Sequence, residues 1–293
     1  MVASLVTLRL VSLGSLQLDE EVNHYLPDWK LRSTEGRTQR VTLRQILSHT
    51  GGVNVHGAPG YPRGSEFPTL DQVLNGEAPA ITAPVIVTAE PGRTYRYSAG
   101  GYCVLQRVIE TVTGHTFEQA TKQLVFDPLE MSNSTFAQPL PEHLWNQAAS
   151  AHLTLAKAPC FERWFVYPEQ AVGGLWTTAT DLAKVVIEIQ QATRGQGRLL
   201  TRELAGEMLT QHSDNYNVGL GTYISNATTP ETAFFSHTGA HLGWQAIAMG
   251  YVSLGKGAVV LTNNGYTGSE LYREFLLSVA EEYAWPGFTG SFR

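Results

Sequence analysis

The chain has 293 residues, 43% of them hydrophobic and only 16% charged, enough apolar material for a large core in one domain with a substantial insertion or in two domains. Its net charge of -6, with no block of like charges, excludes the clustered Lys and Arg that displace counterions from nucleic-acid phosphates. Two cysteines, Cys103 and Cys160, are too few for a disulfide framework or a cysteine metal site and do not decide the compartment.

The first element is a helix that starts without a start signal. Val2, Leu5, Val6, Leu8, Val11 and Leu13 recur at mostly helical offsets, yet no Ser, Thr, Asp or Asn stands ahead of them as a cap. A secretory signal would need a basic beginning, an uninterrupted apolar run and a small-residue cleavage site; Arg9 interrupts this run and the other two features are missing. No other stretch approaches the length of a membrane span. Further helix starts are marked by a Thr followed three residues later by Gln or an acid: Thr42 with Gln45, Thr69 with Gln72, Thr116 with Gln119, Thr178 with Asp181 and Thr267 with Glu270.

On either side of the helix that starts at Thr69 the pattern changes. "NVHGAPGYPRGSEFP" (Asn54 to Pro68) is dense in Gly and Pro and has no periodicity, so it is expected to be a long surface loop, either shaping a binding mouth or merely connecting. "YRYSAGGYCVLQRVIETVTG" sets Tyr97-Ser98-Ala99 just before a helix whose buried face is Tyr102, Leu105, Ile109 and Val112, with Cys103 in the packing and Gly114 as the C-terminal cap. Residues 1–216 therefore read as a helix-rich part with long pocket-lining loops. Residues 217–293 read as a part that completes the same domain: "VGLGTYI", "TAFFSH", "WQAIAMGY" and "GAVVLT" form an antiparallel meander, and a last amphipathic helix carries Leu271, Phe275, Val279 and Tyr283 on one face. Helices against one antiparallel sheet make the class α+β, often filed as α/β.

Standard signatures are mostly missing. There is no G-x-S-x-G elbow, phosphate loop, G-x-G-x-x-G or H-E-x-x-H. His237 and His241 are four apart, but "SHTGAHLGW" holds two glycines and follows a strand, so helical spacing does not apply and no metal site is expected. What remains is a constellation: Tyr97-Ser98-Ala99 before a helix, and His237-Thr238-Gly239 at the end of a strand.

These two segments resemble the second and third motifs of the penicillin-recognising serine hydrolases, the family of class C beta-lactamases, D-alanyl-D-alanine carboxypeptidases and related esterases. "VTLRQILSHTGGV", "AVGGLWTTATDLAKV" and "GAVVLTNN" resemble further blocks of that family, so the similarity runs from the first residue to the last helix. It implies a beta-lactamase/transpeptidase-like fold and acyl-enzyme hydrolysis of an amide, lactam or ester, with a small-molecule or peptide substrate and no cofactor. Tyr97 matches the tyrosine that shuttles the proton between nucleophile and leaving group. His237 replaces the commoner Lys and, with a reference pKa near ~6.5, would be a pH-dependent donor. Thr238 and Gly239 complete the third motif, the backbone N–H of Ala240 would be one of two oxyanion donors, and Ala99 stands where an Asn usually contacts the substrate. His49 and Gly173-Gly174 match blocks that support the pocket; Trp164 and Trp176 either line it or fill core.

The family's Ser-x-x-Lys, which sets a nucleophile and an amine about one helical turn apart, is missing from this sequence. Alignment of "TLRLVSLGSLQLDEEVNHYLPDW" with the family puts that Lys immediately before Met1. The one Ser-x-x-Lys present, Ser253-Leu254-Gly255-Lys256, is expected in a turn between strands, and Ser4 has no Lys three residues on. Two readings follow: a serine hydrolase that lacks its N-terminal portion and is inactive as given, or a non-catalytic relative that keeps the pocket for binding. In either, the strand Gly257 to Asn263 is expected to be an uncovered sheet edge that favours self-association.

Overall fold

The computed structural model describes residues 1–153 and 163–290; Cys160 lies outside them. Helix α1 (Val2–Ser12) is buried along most of its length, through Val2, Ala3, Leu5, Val6, Leu8 and Leu10. Its N-cap, Met1, makes no side-chain hydrogen bond. Helices α2 (Leu43–Leu47) and α3 (Leu70–Asn75) each open on a reciprocal box in which Thr42 or Thr69 accepts from the backbone of Gln45 or Gln72 and the Gln returns the bond. Between them, the Gly- and Pro-rich loop contains a two-residue strand, β1 (Tyr61–Pro62). Helix α4 (Ala99–Thr113) starts at Ser98, whose Oγ accepts from Gly101 N–H, and stops at Gly114, which turns left-handed at φ 68°. Tyr102, Leu105 and Ile109 are buried as the periodicity requires, and Cys103 packs beside them. Helix α5 (Phe117–Thr121) opens on the Thr116–Gln119 box.

After the undescribed stretch, β2 (Phe165–Val166) pairs antiparallel with β1 and ties the long loop down. Helices α6 (Gln170–Gly173), α7 (Ala179–Thr193) and α8 (Arg202–Met208) follow, α7 capped by Thr178 as expected. The sheet then forms as an antiparallel meander in the order β3 (Tyr223–Ile224), β4 (Phe234–His241), β5 (Trp244–Tyr251), β6 (Gly257–Thr262), and α9 (Gly268–Glu282) closes the chain. The class is α+β. One apolar core runs from α1 and α4 through α7 to Phe235 and Ala248 on one face of the sheet. The other face, with Phe234, Ile247, Met249 and Tyr251, packs on Tyr272, Leu276 and Ala280 of α9 and on Trp285.

Four details depart from expectation. The α9 face that meets the sheet is Tyr272, Leu276 and Ala280; Leu271, Phe275 and Tyr283 are exposed by half or more. The α9 cap is not a Thr267 box: Asn264 Oδ1 instead accepts from the N–H groups of Tyr266 and Thr267. In "VGLGTYI" only Tyr223–Ile224 is strand, because two glycines favour turns over a ladder. And β4 continues through Gly239 to His241, so His237 lies within the strand rather than at its end. The turn at Ser253–Lys256 is as expected: Ser253 Oγ donates to Pro230 O (2.9 Å) while Lys256 Nζ donates to Tyr283 O (2.7 Å), so the two side chains are committed elsewhere.

Candidate active site

The segment before α4 is held from its own start. Ser98 donates its hydroxyl to Asn54 O (2.7 Å) while accepting from Gly101 N–H (2.9 Å), and its backbone N–H donates to His49 Nδ1 (3.1 Å). His49 adopts φ 56°, and its carbonyl accepts from Arg96 N–H (2.8 Å), so one residue grips the chain on both sides of Tyr97. Its ring stacks on Tyr102 (centroids 5.0 Å, 26° between planes) and lies 4.5 Å from the Tyr97 ring. Burial above all lowers the His49 pKa to about 3, which keeps the imidazole neutral and Nδ1 able to accept.

Tyr97 is half-buried, with His56 on one side (5.2 Å) and His49 on the other. Burial and then Tyr223 push its phenol above the ordinary tyrosine range, so it is protonated near neutral pH. His237 stacks on Tyr223 (5.4 Å, 17°). Burial above all holds His237 well below 6.5. It is therefore a neutral donor and acceptor rather than one that titrates near neutrality. Tyr95 and Tyr216 extend the aromatic wall by stacking at 4.4 Å.

The backbone of β4 forms the open side. β3 pairs only with Phe235 and Ser236, so from His237 onward β4 has a ladder partner only in β5, and Gly239 and Ala240 are exposed. Thr238 is half-buried beside them. Ala99, by contrast, is 2% exposed in the first turn of α4, so its methyl offers no surface to a ligand. Ser4 also turns away from any nucleophilic role, because its hydroxyl is 3.0 Å from that of Tyr102 inside the core.

At the far end of β4 stands a residue that sequence reasoning set aside. The His241 ring lies 4.1 Å from that of Tyr167, and a Cβ on Gly173 would fall 1.9 Å from His241 Nε2. Gly173 is thus required by the imidazole, which burial brings down to about 4. Nearby, Trp145, Trp164, Trp176 and Trp244 form a row with successive centroids 6.1, 5.5 and 6.1 Å apart. Trp164 is 1% exposed and fills core, whereas Trp176 is half-buried at the surface. Glu169 was also missed: it is buried, neither carboxylate oxygen has a hydrogen-bond partner, and burial raises its pKa.

A profile of the beta-lactamase family matches residues 1–280. Esterase EstB of Burkholderia gladioli is 31% identical over 150 residues, 48% of this chain and 37% of the esterase. Teichoic acid D-alanine hydrolase of Staphylococcus aureus is 24% identical over 209 residues, 70% of this chain and 47% of the hydrolase. The chain thus spans less than half the length of these relatives. Among solved structures, a D-stereospecific amidohydrolase from Streptomyces sp. superposes with a TM-score of 0.72 at 23% identity, covering 94% of this chain and 83% of its own. The octameric penicillin-binding protein homologue from Pyrococcus abyssi gives 0.70 at 21%, over 97% and 64%.

Proposed function

The chain belongs to the beta-lactamase family, and from that premise we propose that its fold serves acyl transfer from an amide, lactam or ester first to a serine and then to water. The observation that carries this reading is the Tyr97 phenol, which His49 and Ser98 hold in place and which has no hydrogen-bond partner among the described residues. As the serine attacks, its hydroxyl proton passes to the lysine amine and the neutral phenol donates its own to the leaving group; on deacylation the phenolate takes a proton from the attacking water and the ammonium returns one to the serine oxygen. His237 stays neutral and positions the reacting groups by hydrogen bonding. The Ala240 N–H, with the N–H of the nucleophile, stabilises the developing oxyanion.

The serine and lysine of this reaction are not among the 293 residues. We place them at the N-terminal end of α1 (Val2–Ser12), from the resemblance of this helix and the segment after it to the family helix that opens on Ser-x-x-Lys. The chain as given is accordingly proposed to be inactive, with its nucleophile belonging to a preceding segment. Intact-mass measurement after incubation with a beta-lactam or a fluorophosphonate tests this. No adduct is expected; a stoichiometric adduct, on Ser253 or elsewhere, overturns the assignment. An in-frame Ser-x-x-Lys in the coding sequence upstream of Met1 is the complementary expectation, and its absence favours a non-catalytic binding protein.

A further inference from the structure

A second concave site lies near the C-terminal end of α1. It is a depression of about 630 Å³ lined by Arg9 of α1, Arg194 at the end of α7, Arg198, and Arg202 of α8, with Leu199, Leu200 and Glu203. Its lining shares no residue with the Tyr97, His49, Tyr223 and His237 group, so the two sites are distinct. In a chain of net charge -6, four arginines in the lining of one hollow are not a by-product of a generally basic surface, and two of them, Arg9 and Arg202, hold their guanidinium groups on carbonyls of other lining residues.

Their partners are informative. Arg198 pairs with Glu130 (3.0 Å). Arg9, Arg194 and Arg202 have no ion pair among the described residues. Each is instead fixed by one backbone carbonyl: Arg9 Nη1 donates to Leu199 O (3.0 Å), Arg194 Nη2 to Ser253 O (2.8 Å) and Arg202 Nη2 to Arg194 O (2.7 Å). A carbonyl orients a guanidinium without neutralising it, and leaves most of its five donors unused. Glu203, the acid in the lining, is an exposed residue in the first turn of α8.

The floor is rigid. Buried Glu188 accepts from the N–H groups of Arg198 (2.9 Å), Leu199 (2.8 Å) and Leu200 (3.2 Å), which pins the 195–201 loop from below. Gly195, at φ 75°, lets the loop pass beside the Arg202 guanidinium, which lies 3.4 Å from where a Cβ would be. The arginines are thus oriented before any ligand arrives, which lowers the entropy lost on binding.

We propose that this hollow is a binding site for a phosphate-class anion, with Arg9 and Arg202 as its ligating side chains. Two oxygens of a carboxylate are satisfied by one bidentate guanidinium, whereas a tetrahedral dianion presents enough acceptors for two arginines at once. The volume exceeds that of one phosphate, leaving room for the group that bears it. That group is either a soluble phosphate ester or a lipid headgroup, which share this chemistry.

Calorimetric titration of the chain with inorganic phosphate and with pyrophosphate at low salt tests the site. Saturable one-site binding is expected, weakening at physiological ionic strength. Arg202→Gln, at an exposed residue, should lose at least tenfold in affinity with an unchanged melting temperature. Arg9→Gln should lose as much, although it also releases the Leu199 carbonyl. Arg37→Gln, remote and paired with Glu35, should bind as the parent does. Sedimentation with phosphatidylglycerol vesicles, abolished by Arg202→Gln, would assign the source as a lipid headgroup; phosphate binding without vesicle binding would assign it as a soluble ester. Absence of saturable phosphate binding, or binding indifferent to Arg202→Gln and Arg9→Gln alike, overturns the proposal.

Discussion

Tyr97 and His49 divide the work of one small region, and their substitutions should fail differently. In a protein that carries the nucleophile, Tyr97→Phe keeps the ring that packs on His49 and removes only the proton donor, so turnover should fall about 100-fold or more with little change in substrate binding. Single-turnover kinetics beside a binding measurement check this, and equal turnover would remove Tyr97 as the acid. His49 acts through stability. Its folded-state pKa, about 3, lies below the unfolded value near 6.5, so from pH ~6.5 downward the unfolded chain takes up a proton that the folded chain refuses. Stability contributed by the neutral imidazole is complete above 6.5 and is lost as pH falls toward 3. Denaturant unfolding across that window should show a shallower acid loss in His49→Gln than in the parent, together with a general cost of about 1–3 kcal/mol if the buried Ser98 N–H loses its acceptor. His237 and His241 are shifted the same way and keep part of the slope in the variant.

At the scale of elements, Gly173 and His241 couple α6 to β4 across 68 positions of sequence. Gly173→Ala should cost about 1–3 kcal/mol by driving a methyl into the imidazole. The same change made on His241→Ala should cost far less, and a double-mutant cycle by thermal unfolding reads the difference. That coupling also explains what could be read beforehand. Helix starts were legible because Thr42, Thr69 and Thr116 each meet their partner three residues away, and the Tyr97 and His237 segments were legible because their patterns are contiguous. His49 was legible as a pocket support only through the family resemblance, and the role of His241 was not legible, since each depends on a residue dozens of positions distant. The inward face of α9 was misjudged for another reason: the Leu271–Phe275 stripe is more apolar than Tyr272–Leu276–Ala280, but the sheet meets the helix on the side where Ala280 permits close approach. Gly173 was the one local clue to His241, as a glycine that only a distant ring makes necessary.

For the whole molecule, the decisive asymmetry is that β6 pairs on one side only, beside the exposed Leu271, Phe275 and Leu261. Among the described residues no strand covers that edge, so we expect the chain to self-associate by pairing β6 with another copy. Light scattering during size-exclusion chromatography should show mass rising with concentration, and Leu261→Lys should return it toward the monomer; a concentration-independent monomer of the parent counts against the edge. The sheet also divides two cores of unequal size, the smaller being the one that α9 closes. A helix that seals only the lesser core, with its own outer stripe in water, is the cheapest piece of this fold to lift away. Its detachment uncovers Phe234, Ile247, Met249 and Tyr251 next to an unpaired edge. The shelf life of the chain in solution is then set by how often α9 opens, long before the rest of the molecule unfolds.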